Sequence, residues 1–316
     1  MDEHSFLALR ARVGDAYLGQ RMRLQVDRMV QLVGRGEGSL HFENLPLFVH
    51  TLHFLLKLSG LYGRGQRNAL RFQVRENRVP IRGLPQDLEG LGLLHLSDLH
   101  IDAYPGLGQH IARAVSGLDF DVCLLTGDFR FHETGRYHHI AHELEELVAA
   151  LRCPLGVYGI LGNHDFIEMV PILEACGIRM LLNESAELAR NGASLWLVGL
   201  DDAHVYGLHD FEKGLAGVPS HAVRILIAHS PELIVEASRW GFDLYLAGHT
   251  HAGQMCLPGG FPLIVNAHCR RRYIAGRWEY ADMRGYTSAG TGSSGVFARF
   301  FCPPEIVVHR LYHQES

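Results

Sequence analysis

The chain has 316 residues, of which 47% are hydrophobic and 20% charged, with a formal net charge of -5. That length accommodates one large catalytic domain plus a smaller unit, and the balance of residue types is that of an ordinary soluble globular protein. The acidic net charge gives no reason to expect nucleic acid as a partner. The outlier is histidine, present 21 times, because imidazole is the commonest protein ligand for transition metals and a proton carrier near neutral pH.

The N-terminus, MDEHSFLALRAR, lacks the basic segment and apolar run of a signal peptide. The six cysteines form no CxxC pair and several sit inside apolar runs such as DVCLL, the pattern of reduced core thiols. A cytoplasmic protein is therefore expected. Residues 1–68 read as a helical N-terminal appendage, and residues 45–62, LPLFVHTLHFLLKLSGLY, are the most hydrophobic stretch of the chain. At helical spacing Leu45, Phe48, Val49, Leu52, Leu55 and Leu56 share one face, with His50, His53 and Lys57 on another. The stretch is too short and too polar to span a membrane. Two readings remain open: a helix packed on the main domain or a second subunit, or an interfacial helix helped by Arg64, Arg67 and Arg71. The second would make the protein peripheral on the inner membrane.

From residue 69 to 316 short strand-like and helical segments alternate. ALRFQVRENRVPIRG reads as an edge hairpin and GLLHLS as the first buried strand. A helix is expected near 107–117, a strand at DVCLLTGD, a helix over 136–151, a strand at PLGVYGIL and a helix after Asp165. Such alternation predicts βαβ units. Further strands are expected at SLWLVGL, VRILIAH, FDLYLAGH, PLIVN, GYTSAGTG and EIVVHRLY. Two packed sheets flanked by helices accommodate both halves.

Polar residues gather at the ends of five of these strands: Ser97-Asp98-Leu99-His100, Gly127-Asp128, Gly162-Asn163-His164-Asp165, His229, and Gly248-His249-Thr250-His251. In open α/β sheets ligands bind outside the carboxyl ends of the strands, so the five groups are expected to face one crevice. Carboxylates mixed with imidazoles and an amide oxygen suit Mn²⁺, Fe or Zn²⁺, and no set of thiolates offers a softer site. Taken singly, GD and GNHD also read as turns and His229 as a core histidine.

Together and in this order, the five groups resemble the motif series of the calcineurin-like metallophosphoesterase superfamily over residues 93 to about 312. The resemblance implies a four-layer α/β/β/α sandwich with two metal ions at the strand ends. Asp98, His100, Asp128 and His251 would hold the first, and Asn163, His229 and His249 the second, with Asp128 bridging. His164 would be the catalytic residue, a cationic imidazole that stabilises the reacting phosphoryl group or protonates the departing oxygen. Two cations about 3.5–4 Å apart also lower the pKa of a bridging water, which then attacks as hydroxide. The expected activity is hydrolysis of a phosphodiester or pyrophosphate bond.

One departure narrows it. Phosphoprotein phosphatases of the superfamily carry an Asp-Arg pair after the GD motif, where this chain has Phe131 and His132, so the group that orients the histidine is missing. Arg130 would partly replace the lost arginine as a substrate contact. Asp165 would orient the turn or the imidazole, and Arg271 would bind a distal phosphate. AGQMCLPGG and the C-terminal tail look like a bacterial phosphodiesterase branch, which includes enzymes that cleave UDP-2,3-diacylglucosamine in lipid A synthesis. A lipid-linked nucleotide is therefore one expected substrate, and a catalytically silent metal-binding scaffold is the competing class. AGTGSSG, residues 289–295, reads as a flexible turn near the site, and Asp201, Asp202 and His204 as residues lining the cleft.

Overall fold

The computed structural model describes residues 1–33 and 46–314. Four helices come first: α1 (Glu3–Val13), α2 (Asp15–Val33), α3 (Pro46–Leu58) and α4 (Tyr62–Ala69). The alternating segment gives β1 (Gln73–Arg82), β2 (Gly92–Leu96), α5 (Leu107–Val115), β3 (Val122–Leu125), α6 (Ile140–Ala150), β4 (Val157–Gly159), α7 (Val170–Ala175) and β5 (Arg179–Met180). There follow β6 (Glu184–Arg190), β7 (Ala193–Gly199), α8 (Phe211–Gly214), β8 (Arg224–Ile227), α9 (Ile234–Arg239) and β9 (Leu244–Ala247). The last strands are β10 (Cys256–Leu257), β11 (Phe261–Pro262), β12 (Gly276–Tyr280), β13 (Met283–Thr287) and β14 (Glu305–Gln314).

One six-stranded sheet runs β1-β14-β2-β3-β4-β5 and the other β12-β13-β9-β8-β7-β6. Successive side chains of a strand point to opposite faces, and here each face meets a core. Leu93 and Leu124 turn inward to meet Leu197, Ile225 and Leu246 of the facing sheet. Leu94 and Cys123 turn outward onto Ile111, Leu144 and Leu173 of α5, α6 and α7. Across the second sheet Val198, Leu226 and Tyr245 meet Phe211 and Ile234 of α8 and α9. Strands covered on both faces read as unbroken apolar runs, and the layers form a four-layer α/β/β/α sandwich.

Residues 69–83 do not form the expected hairpin. β1 is a single strand that pairs in parallel with β14 along its whole length, and no local turn signal reports a partner so distant in the chain. Of PLIVN only Pro262 is in a strand. Leu45 lies outside the described residues, as does the side chain of Phe48. Val49, Leu52 and Leu56 of α3 pack against Met255, Val296, Ala298 and Phe300, whereas Leu55 is 52% exposed.

Leu9, Val13 and Leu18 carry α1 and α2 into the core beneath the first sheet. A fully buried ion pair fixes α2 there: Arg21 Nε lies 3.0 Å from Asp201 Oδ2, and Tyr17 donates to the same oxygen at 2.6 Å. Arg21 also donates to the Asp165 carbonyl, and the Gln25 amide oxygen accepts from the Ile167 amide at 2.7 Å. Removing one partner of such a pair leaves an uncompensated buried charge. Arg21→Ala is therefore expected to lower unfolding free energy by about 3–5 kcal/mol, measured by urea denaturation, and a loss below about 1 kcal/mol would contradict the tie.

Candidate metal centre

The chain reverses sharply where strands end. Asp98 and His100 follow β2, Asp128 follows β3, Asn163 to Asp165 follow β4, His229 follows β8, and His249 and His251 follow β9. Parallel neighbours end on the same side, so five turns meet there. Asp98 (φ 52°), His100 (40°), Asp128 (57°), His249 (69°) and His251 (47°) all adopt the left-handed region. Each such non-glycine residue costs about 1–3 kcal/mol and persists only where its surroundings enforce it.

The enforcing bonds are on the main chain. Asp165 accepts from the amides of Asp128 (2.8 Å), Phe129 (2.9 Å) and Gly162 (2.9 Å), joining the second and third motifs. Asp98 accepts from the His249 amide, and its own amide donates to the Gly127 carbonyl at 3.1 Å. Glycine is required twice by contact: a Cβ on Gly162 would lie 2.2 Å from Asp128 Oδ1, and one on Gly248 1.7 Å from Ser97 Oγ.

The imidazoles are aimed by their outer nitrogens. Nδ1 of His100 lies 2.8 Å from the Arg130 carbonyl, and Nδ1 of His229 2.8 Å from that of Thr126. A carbonyl only accepts, so Nδ1 carries a hydrogen, and in the neutral ring Nε2 presents a lone pair. Those inner nitrogens converge on other acceptors. His229 Nε2 is 3.0 Å from Asn163 Oδ1 and 3.3 Å from Asp128 Oδ2. His100 Nε2 is 3.7 Å from Asp128 Oδ2 and 3.2 Å from His251 Nε2, which faces Asp98 Oδ1 at 3.4 Å. His249 Nδ1 is 3.2 Å from His229 Nε2.

Lone pairs gathered so closely repel unless a cation lies among them. Three groups of donors lie within ion-binding reach: Asp98, His100 and His251; His100, Asp128 and His164; and Asp128, His229 and His249. Oxygen and imidazole donors of this kind suit a borderline divalent cation, and the residues present fit one. Titration behaviour fits as well. Burial raises Asp98 and pushes Asp128 to about 7, while it lowers His100, His249 and His251 well below the ordinary histidine value. Desolvation opposes the charged form of His229 too, yet Asp128 and Asp98 raise its pKa well above the ordinary value.

All seven expected ligands thus come together, and His164 stands beside them. Its Nδ1 lies 2.7 Å from the Phe131 carbonyl, and its Nε2 is 3.8 Å from Asp128 Oδ2. The orienting group missing from the side chains after the GD motif is therefore supplied by the main chain. Burial lowers the His164 pKa to about 3, which favours the neutral ring.

Of the expected substrate contacts, Arg130 is corrected. Arg130 is buried and donates to the carbonyls of His164, Glu133 and Gly135. Asp165, fully buried, holds the turn and not the imidazole. Arg271 is exposed, its guanidinium 4.7 Å from the Phe261 ring. Residues 289–293 are buried, with the Thr291 and Gly292 amides donating to Ser97 and Asp98, so this stretch is a packed brace and not a flexible turn. Of the three cleft candidates only His204 adjoins the centre, its ring 4.2 Å from that of His249. Asp201 is taken by Arg21, and Asp202 accepts the amides of Val205 and Tyr206.

Two neighbours escaped the sequence reading. Glu133 lies 4.0 Å from His164 Nε2, and the buried Arg299 guanidinium 3.2 Å from His251 Nδ1. Both lie outside the strand-end motifs. A cation-binding centre built on buried carboxylates loses compensation when emptied. Treatment with a chelator is expected to lower the Tm and Mn²⁺ to restore it, read by scanning fluorimetry, and an unchanged midpoint would count against cation binding.

Residues 91–253 match the family described as Calcineurin-like phosphoesterase. A zebrafish protein named "Transmembrane protein with metallophosphoesterase domain" is 30% identical over 301 residues, covering 89% of this chain and 67% of its own length. Its cattle namesake is 30% identical over 299 residues, covering 86% of this chain and 64% of its own length. The Bacillus subtilis "Uncharacterized metallophosphoesterase YkoQ" is 26% identical over 245 residues, 72% of this chain and 86% of its own. Among solved structures, Haemophilus influenzae NAD nucleotidase superposes with a TM-score of 0.43 at 15% identity, over 64% of this chain and 45% of that one. No helix among the described residues is long and apolar enough to cross a membrane. With more than half of the sequence matched and the metal-ligand motifs gathered at one end of the sheets, the chain belongs to the calcineurin-like phosphoesterase family.

Proposed function

We propose that the chain hydrolyses a phosphodiester or pyrophosphate bond at a pair of divalent cations. The observation that carries this reading is the position of Asp128, one oxygen of which lies between His100 Nε2 at 3.7 Å and His229 Nε2 at 3.3 Å. A carboxylate between two groups of imidazoles suits a bridging ligand. Asp98, His100, Asp128 and His251 would hold one ion, and Asp128, Asn163, His229 and His249 the other, with Mn²⁺ favoured over Fe or Zn²⁺. When bound, such a pair polarises a phosphoryl oxygen and makes hydroxide available near neutral pH.

The leaving group falls to His164. The Phe131 carbonyl fixes its ring so that Nε2 faces the cluster. Burial favours the neutral ring, and an entering phosphoryl anion favours its protonated form. The proton on Nε2 is then passed to the departing oxygen.

A narrower reading takes UDP-2,3-diacylglucosamine as substrate. What favours it is an apolar cleft of about 130 Å³ that reaches His251 and is lined by Val49 and Leu52 of α3 with Met255, Leu263, Ile264 and Val296. Leu263 of that lining, Phe54 and Leu58 elsewhere on α3, and Phe261 are each more than half exposed, with Arg271 over the Phe261 ring. Exposed apolar side chains and a cation suit peripheral contact with an acidic membrane surface.

His164→Ala is expected to keep its metal content by elemental analysis while kcat for bis(p-nitrophenyl) phosphate falls about 10²–10⁴-fold. Unchanged kcat would remove the acid role, and metal-loaded wild type without any turnover would favour the scaffold. With UDP-2,3-diacylglucosamine in detergent, UMP release is expected, and Leu52→Asp should cost this substrate more than the small diester. Equal losses would remove the lipid reading.

A further inference from the structure

Beside Asn163 and His204 lies a second cavity, of about 190 Å³, in which Leu24 and Val205 stand among polar residues. The N-terminal helix α2 contributes Asp27, Arg28 and Gln31, and these face Asn163, His204 and Asn266. Two of the facing residues adjoin the candidate metal centre: Asn163 is one of its oxygen donors, and the His204 ring lies tilted 4.2 Å from that of His249. A phosphoryl group held at the centre therefore has this cavity as its neighbour. The helix that walls it is not loosely placed, because Arg21 and Gln25 tie α2 to Asp201 and to the turn that carries His164.

We infer that this cavity is a substrate subsite for the hydroxylated, sugar-like group attached to the reacting phosphoryl, and that Arg28 is its specificity-determining residue. The inference rests on the hydrolase reading for the identity of the phosphoryl group. Its own support is the lining. Amides, a carboxylate and a guanidinium beside Leu24 and Val205 offer both donors and acceptors next to apolar surface, which suits a hydroxylated ring better than a bare anion or an alkyl chain. Arg28 is three-quarters or more buried, its side chain 17% exposed, and Glu133 holds it through Nε at 2.9 Å and Nη2 at 3.4 Å. Nη1 has no acceptor among the described residues, and Arg28 lines the cavity. Glu133 lies 4.0 Å from His164 Nε2, and Arg28 thus stands at the boundary between the reacting group and the group it carries.

The test reads binding to the Mn²⁺-loaded full-length protein by calorimetric titration and needs no turnover. The two probes are inorganic phosphate, which reaches the cations alone, and UMP, which adds a ribose and base to the same phosphate. Wild type is expected to bind UMP more tightly than phosphate. Arg28→Ala should raise the Kd of UMP about tenfold or more, the loss of a hydrogen bond to a charged group, and that of phosphate by a clearly smaller factor. Arg28→Lys, which keeps the charge and the helix, should recover part of the UMP affinity, and Gln31→Ala should weaken UMP alone. The exposed Arg23→Ala serves as the control for the helix itself. Equal weakening of both probes by Arg28→Ala would overturn the subsite, as would Glu133→Gln reproducing its effects, since Arg28 would then act only by placing Glu133. Failure of both probes to bind loaded wild type would instead remove the hydrolase reading on which the inference stands.

Discussion

Asp165 is the residue on which the metal centre depends. One carboxylate, fully buried, accepts three main-chain amides from the turns after β3 and β4. Such bonds favour the ionised form and would hold its pKa down, but burial outweighs them and raises it. That carboxylate cannot be replaced by a neutral side chain without orphaning donors that no water reaches. With the two turns locked together, Asp128 and Asn163 are brought side by side, and Gly162 lets the backbone approach Asp128 closely. This closure holds Asp128 in its left-handed conformation, while the bond from the His249 amide to Asp98 ties the turns after β2 and β9.

The centre is also supported from outside the sheets. Arg21, Tyr17 and Gln25 on α2 reach Asp201 and the turn after β4, while Thr291 and Gly292 reach the turn after β2. The ligands are therefore held from two sides by segments that contribute no ligand. Groups buried without a compensating charge are costly, and a cation among Asp98, Asp128 and their histidines offsets that cost. Metal affinity and fold stability are in this sense one quantity measured in two ways.

The sandwich and the meeting of the seven candidate ligands at its strand ends were legible because each signal is local: an apolar run that ends in a polar pair is visible within about ten residues. Interactions that join distant segments were not. The parallel pairing of β1 with β14, the Arg21–Asp201 pair and the Arg28–Glu133 pair connect positions whose sequence neighbours give no hint of them. The same limit misassigned Arg130, which stands in a motif and carries charge, yet has main-chain carbonyls as its partners, which side-chain identity does not reveal. Conversely, the orienting group for His164 was judged absent because no side chain supplied it, when the Phe131 carbonyl does.

The place of β14 bears on how the molecule is made. It lies between β1 and β2, so the first sheet cannot close until the ribosome has released the chain through residue 314. Until then β1 and β2 present unpaired edges, and the residues that brace Asp98 from the 290s are not yet in place. Sheets joined by contacts so distant in sequence close slowly, and exposed edges invite pairing with other chains. During synthesis the residues of the metal centre are therefore made before the strand that completes their sheet.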